Sequence, residues 1–522
     1  MTTTLLTRGS IHTMDPACPR ASAVAIDNGR ILAVGEDLDL PGATRIDLGG
    51  RCVLPGLTDS HIHLRWAAIT LQMVDLGGCR SLEEMLARVA ARAAQTPPGE
   101  WLSGHSWNQE EWHERRFPTA ADLDRVAPHC PTALTAKSGH VLAANSAAMA
   151  AAGITAETLD PPGGRIGRDA SGQPDGLFFE EAMSVILDLI PQPEPDALAA
   201  ALQPVFAQAW RFGLTAAHDV DNLAAFDAFQ RLRAEDKLGL RVVKYLPAEA
   251  LDHALALRLR AGLGDDWLRI GGIKLFADGA LGPRTAAMLA PYEGEPDNLG
   301  ILTVEREALE ETVRRAAAGG LPVAIHAIGD AANRMVLDVF AAVRPTHPTL
   351  RQRIEHVQLL HPDDISRLAE PGVVASMQPL HATQDAVMAD RYWGARAATA
   401  YAWRSLLDAG AVLAFGSDCP VESPNPFLGI HAAVTRTRAD GYGGPDGWQP
   451  QQRLTVAEAI RAYTWGAAYA VGLEKRLGSL SPGKWADLVV VDRDPFTCEP
   501  AAIAGTQVVG TMIGGEWVYR RF

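Results

Sequence analysis

The sequence predicts an α/β protein: a (β/α)8 TIM barrel, a small β-sandwich domain formed by both termini, and an α/β insertion after the first barrel strand. Three observations lead there. Eight apolar, strand-like runs recur along the middle of the chain, mostly separated by alanine- and leucine-rich stretches of helical spacing. Both chain ends read instead as short strands and turns. Between the first and second apolar runs lies a gap, residues 66 to about 205, far too long for a plain crossover.

The eight runs are Val53–Leu57, Gly213–Ala217, Arg241–Leu246, Arg269–Leu275, Pro322–Ala327, Arg353–Gln358, Gly372–Met377 and Ala411–Phe415. Stretches such as Leu309–Ala318 and Asp330–Val343 supply helices between them. Strand–helix alternation gives a parallel sheet, and eight strands suit a closed barrel. Strands are expected near the start at Ala23–Ile26, Arg30–Val34 and Thr44–Asp47, and near the end at Asp487–Asp492, Gln507–Met512 and Glu516–Tyr519. Neither end has strands enough for its own core, so the two are expected to pair into one sandwich. The gap holds strand-like pieces (Trp101–Ser103, Pro131–Thr135) and helices (Ser81–Ala94, Asn145–Ala152), and reads as a folded insertion over one end of the barrel. Expected boundaries are 1–52 with 475–522 for the sandwich, 53–65 with 206–474 for the barrel, and 66–205 for the insertion.

Composition narrows the function. A chain of 522 residues can bury a large core. Its formal net charge of −15, with no basic stretch to offset it, argues against a nucleic-acid partner. Met1 to Arg8 lacks the apolar core of a signal peptide, and no later run is long enough to span a bilayer. Six scattered cysteines without a CxxC pair suit reduced thiols, so a cytoplasmic location is expected.

Chemistry-bearing residues gather at the predicted strand ends. In His61-Ile62-His63 the alternation of a strand points both imidazoles the same way, a ready pair of nitrogen ligands. Taken alone, the pair is equally compatible with two unrelated strand-end histidines. His326 closes the fifth run, His356 follows Arg353-Ile354-Glu355, and Asp418 comes directly after the eighth run. Each lies at the carboxyl end of its strand, where catalytic groups of such barrels collect. Lys274 stands in an apolar strand, where an unpaired ammonium is costly. An ion pair with a carboxylate such as Asp278, a neutral amine, or covalent modification to a carbamate would each relieve that cost.

The segments HIH, IKLFADGALG, AIHAIGD, RIEHVQ, VVASMQPLHA and FGSDCPVE together resemble the amidohydrolase superfamily, and within it the branch of YtcJ-like proteins and N-substituted formamide deformylases. The similarity runs from LPGLTDSHIHL through GGRIGRDASGQPDG to SLSPGKWADLVVVDRDP, nearly the whole chain. The resemblance implies residue roles. His61, His63 and Asp418 would bind one metal, His326 and His356 a second, and Lys274, carboxylated by carbon dioxide, would bridge them. Nitrogen and carboxylate ligands suit Zn2+ first, as one ion or two, with Mn2+, Fe2+, Co2+ or Ni2+ as substitutes. The implied activity is hydrolysis of a C–N bond (an amide, N-formyl or N-acyl group) of a small molecule by metal-activated hydroxide, with Asp418 as general base. The alternatives are ester hydrolysis, hydration or decarboxylation on the same metal site, and a non-catalytic small-molecule binder.

A second set of residues is open between two roles: contacting substrate or orienting a ligand, and a structural one such as, for Arg284, pairing with an acid. His218 and His381 sit near strand ends, Arg284 follows Gly282-Pro283, and His140 lies in Ser138-Gly139-His140, which resembles a family segment facing the active site. Ser138 and Asn108 stand where the family commonly has Asp, which removes charge from the expected pocket. Trp107, with Trp101, Trp112, Tyr392 and Trp393, either lines an aromatic pocket or anchors the core. His105, His113, His129 and His253 read as structural, and Cys419 as a packing residue without a base. Homodimers are common among such enzymes, and the sequence adds nothing to that base rate.

Overall fold

The apolar run at residues 53–57 divides where Pro55 meets Gly56. In the computed structural model, which describes residues 3–109, 112–137, 141–161, 164–191, 193–370 and 372–522, Cys52–Pro55 belongs to the terminal sandwich, where it pairs with Leu488–Val491. The first barrel strand, β1 (Leu57–Ile62), starts only beyond it. Gly56 donates its N–H to the Asp487 carbonyl, and Leu57 donates to that of Gly213, so the chain changes sheets at one residue. A β-carbon at Gly56 would lie 2.3 Å from Thr215 Oγ1, which explains the glycine. Sequence pattern misplaced this strand because Thr58, Asp59, Ser60 and His61 are polar yet buried inside the barrel.

Seven further strands complete an eight-stranded sheet that is parallel throughout: β2 (Leu214–Asp219), β3 (Arg241–Pro247), β4 (Leu268–Phe276), β5 (Val323–Ala327), β6 (Gln352–His356), β7 (Val373–Met377) and β8 (Val412–Phe415). Helices between them bury one stripe each; Arg306–Ala318 buries Leu309, Val313, Ala316 and Ala317, a helical repeat. The ends of β1 and β8 meet just beyond the ladder. Asp418 donates its N–H to the His61 carbonyl (2.8 Å), and His63 to that of Cys419 (2.9 Å). Asp59 accepts from the Ser417 N–H (3.0 Å) and from its hydroxyl (2.5 Å). Gly416 permits this approach, since a β-carbon there would sit 2.5 Å from the His61 nitrogen.

The termini form two facing sheets. One has four strands in the order Arg30–Gly35, Ala23–Asp27, Thr4–Thr7, Thr44–Asp47. The other has six, running from Glu516–Arg520 through Val508–Ile513, Leu488–Val491, Cys52–Pro55 and Ser10–His12 to Arg20–Ala21. Alternate side chains such as Leu6, Ile11, Val24, Leu488, Val490 and Met512 make their shared core.

Residues 67–201 form a separate compact unit. Its six-stranded mixed sheet includes Leu102–Trp107 and Thr132–Ala136, and Leu82–Ala93 packs Met85, Leu86 and Val89 into its core. Ser81 caps that helix by accepting from the Glu84 N–H, and Thr119 with Asp122 forms a reciprocal capping box on the next. Among the described residues no helix is long and apolar enough to cross a membrane.

Candidate metal centre

The carboxyl ends of β1, β4, β5, β6 and β8 bring His61, His63, Lys274, His326, His356 and Asp418 to the wall of one cavity of about 350 Å³. Imidazole nitrogens of His61 and His356 and a carboxylate oxygen of Asp418 lie within 4.8 Å of one another. Asp418 Oδ1 is 3.5 Å from His61 Nε2 and 3.2 Å from His63 Nε2. Rings of His326 and His356 stand 4.6 Å apart, and those of His61 and His356 4.9 Å apart. His356 and Asp418 both have left-handed backbones (φ 75° and 59°), costly for non-glycine residues and tolerated where the surroundings dictate them.

Each histidine has one nitrogen engaged away from the centre. His61 donates from Nδ1 to Glu355 Oε2 (2.5 Å), His63 from Nδ1 to Asp221 Oδ1 (3.1 Å), and His356 from Nδ1 to Gln378 Oε1 (2.8 Å). His326 donates from Nε2 to the Gly279 carbonyl (2.9 Å). Those acceptors fix the tautomers, so in each neutral ring the other nitrogen carries a lone pair, as a metal ligand must.

Electrostatics agree with that donor set. Burial holds His61 and His326 down at about 4, helped by the Lys274 ammonium, so both are neutral. Burial, with His326 beside it, likewise keeps His356 well below its ordinary value. Burial also raises a carboxylate, but His61 and His63 outweigh it at Asp418 and keep it ionised. At His63 burial opposes charge, yet Asp221 and Asp418 hold it up at about 9, a field that favours a cation. Buried neutral imidazoles, an ionised carboxylate and a local preference for positive charge fit a divalent ion.

Lys274 is buried, and burial brings its amine down to about 8. Its ammonium lies over the Phe276 ring at 4.9 Å. The ion pair with Asp278 does not form: that carboxylate accepts instead from the N–H groups of Ala287, Ile328 and Gly329. A lysine with that low pKa has an appreciable neutral fraction at physiological pH.

Beneath the histidines lies a polar layer that sequence reading missed. Arg353 donates to Glu355 through Nε (2.9 Å) and Nη2 (3.0 Å), to the Ser60 carbonyl (2.6 Å) and to His218 Nδ1 (2.9 Å). Arg353 and Glu355 alternate on β6 and both point into the barrel; RIEH hides this because every position of that strand is buried. Lys244 of β3 is equally enclosed and donates to Asp219 Oδ1 (2.5 Å). A charged residue within each apolar run was the available signal.

The secondary set divides. His381 lines the cavity, with Nε2 3.9 Å from Asp418 Oδ2. His218 lies under Arg353, buried and away from the cavity wall. Arg284 pairs with Glu295 (2.8 Å) against the Tyr392 ring, also off the wall. Trp107 is wholly buried in the core of the 67–201 unit and donates its indole N–H to the Leu134 carbonyl (2.8 Å). His140, with Ser138 and Gly139, lies outside the described residues.

A parallel barrel with imidazoles, a lysine and a carboxylate converging at its carboxyl ends defines a barrel hydrolase of the metal-dependent class. Residues 44–519 match the amidohydrolase family, and the chain belongs to it. It is therefore an enzyme of the class that hydrolyses carbon–nitrogen bonds other than peptide bonds. It is 34% identical to YtcJ of Bacillus subtilis (strain 168), with 98% of each chain covered. It is 29% identical to the N-substituted formamide deformylase of Arthrobacter pascens, covering 99% of this chain and 98% of that one. An uncharacterized metal-dependent hydrolase from Pyrococcus furiosus is 31% identical, with a TM-score of 0.80 over 95% of this chain and 100% of that one.

Proposed function

We propose that this enzyme hydrolyses an amide, N-formyl or N-acyl C–N bond of a small molecule, using His61, His63, His326, His356, Asp418 and a carboxylated Lys274 to hold Zn2+. The observation that carries the reading is the 4.8 Å cluster of His61, His356 and Asp418, each buried. Similarity to the Arthrobacter pascens deformylase supports the N-formyl class. A divalent ion bound there supplies an acidified water and polarises the substrate carbonyl.

The chain's own groups do the rest. Asp418, held ionised by its imidazole neighbours, accepts the proton of the attacking water and delivers it to the leaving nitrogen. Glu355, Asp221 and Gln378 lock the rings of His61, His63 and His356. The neutral fraction of the Lys274 amine attacks carbon dioxide, forming an N–C bond and losing a proton, which leaves an anionic carbamate suited to bridging two cations. Scattered, unpaired cysteines support a reducing cytoplasmic setting.

Metal analysis of the purified enzyme, followed by a screen of N-formyl and N-acyl amines with chelator controls, tests the proposal. Bound zinc with chelator-sensitive release of formate or another carboxylate is expected. Full turnover by metal-free protein would overturn it.

A further inference from the structure

One wall of the catalytic cavity is acidic beyond what the metal centre uses. Asp385 and Glu422 both line it, on opposite sides in sequence of the β8 strand end. Asp385 sits four residues after His381 on the helix Pro379–Trp393, so the two share a face. Glu422 follows Asp418 by four residues, in the loop beyond β8. Burial disfavours the charge of both carboxylates, and at Glu422 the nearby Asp385 adds to that effect. Asp385 accepts one hydrogen bond, from the Tyr401 hydroxyl (2.5 Å). Glu422 has no hydrogen bond or ion pair among the described residues.

Among the described residues, no lysine or arginine forms an ion pair with either carboxylate, and the nearest ionisable nitrogen group is His381. Arg438, whose charge reaches Asp385 more weakly than that of His381, is committed to Asp440 and to the carbonyls of Thr383 and Gln384. Between the acidic wall and the metal centre stands His381, only 7% exposed, with neither ring nitrogen hydrogen-bonded. A buried imidazole left unpartnered and aimed into a cavity calls for a polar group from outside the chain. Apart from Gln358, the remaining wall is largely apolar: Trp66, Phe276 and Val421 are 45%, 54% and 51% exposed around it.

We infer that the substrate is a small organic cation: an N-acyl or N-formyl compound whose second nitrogen, a protonated amine or amidine, sits between Asp385 and Glu422 beside His381. The inference rests on the cavity being the substrate site argued above, and extends it to the class of substrate. Two carboxylates with one cation missing form a recognition site that a neutral isostere cannot satisfy, since it would leave them desolvated and unpaired. The apolar side walls cover the methylene or aromatic spacer between the scissile bond and the charge.

The test pairs N-formyl diamines of increasing chain length with the N-formyl alkylamines that carry CH3 in place of the terminal ammonium. On the zinc-loaded enzyme, kcat/KM for the charged member should exceed that for its neutral isostere by roughly tenfold to a hundredfold, the scale of charge-assisted hydrogen bonds. Glu422→Gln and Asp385→Asn should each lower that ratio by about tenfold, mainly through KM. Equal rates within each pair overturn the inference, as does a preference that both substitutions leave intact. If no formamide is hydrolysed, the proposed reaction fails on its own, and calorimetry with butylammonium chloride decides the cation site separately. Binding that Glu422→Gln weakens by about tenfold supports it; absence of binding overturns it.

Discussion

Replacing Glu355 by Gln probes the layer on which the metal centre stands. Glu355 is wholly buried, and its two oxygens receive three donors: Arg353 Nε, Arg353 Nη2 and His61 Nδ1, at 2.9, 3.0 and 2.5 Å. Burial works against its charge, but Arg353 and His61 hold the carboxyl well below its ordinary value. Glutamine keeps the shape but brings an NH2 that must face either the guanidinium or the imidazole, donor against donor. Breaking one partner of a buried pair costs about 3–5 kcal/mol. Arg353 retains Ser60 and Ser376 as acceptors, so about 3 kcal/mol is expected. His61 also loses the group that orients its ring, which for such supporting contacts lowers metal affinity or activity about 10–100-fold. Urea unfolding followed by tryptophan fluorescence and competitive zinc titration reads both effects. A stability loss under about 1 kcal/mol together with unchanged zinc affinity would refute this reasoning.

Asp418→Asn should abolish turnover, by about a thousandfold or more, while the circular dichroism spectrum stays that of the parent; near-normal turnover would remove its role as base. Gly416→Ala should destabilise the barrel by about 1–3 kcal/mol, because its β-carbon meets the His61 nitrogen at 2.5 Å; denaturant titration reads this, and an unchanged midpoint contradicts the closure described. Asp122 is held at about 2, below its ordinary 3.8, mainly by hydrogen bonds from Arg116. Its stabilisation is therefore complete above pH 3.8 and lost as pH falls through about 2. Asp122→Asn should cost about 1 kcal/mol at neutral pH, since solvent screens the ion pair. Acid titration of parent and variant should show that difference vanish near pH 2; a difference persisting below that contradicts the linkage.

The barrel was legible because seven of its strands are apolar runs followed by helices, a pattern set by burial on both faces. β1 was not, since Asp59 and Ser60 bury polar side chains that Ser417 and Ser376 satisfy from across the barrel. Periodicity cannot register partners 316 or 358 residues away. The strands Thr4–Thr7 and Ser10–His12 escaped notice for a related reason: both are short, and their pairing partners lie elsewhere in the chain. The six converging residues were visible as polar groups at the ends of apolar runs. Glu355 was not, since its neighbour His356 drew the functional reading while Glu355 itself reads as an ordinary strand residue. His218 lay at a strand end as expected, but the alternation of β2 turns it beneath Arg353. Asp385 and Glu422 carry no linear signal at all; only the fold brings a helix after β7 and a loop after β8 to one wall.

Anomalous diffraction from zinc-loaded crystals, collected on both sides of the zinc edge, tests the metal centre most directly. A peak bonded to His61, His63 and Asp418, with added density on the Lys274 amine, is expected. Absence of a peak among these side chains in a catalytically active, zinc-containing crystal, or a peak bound only elsewhere, would contradict it.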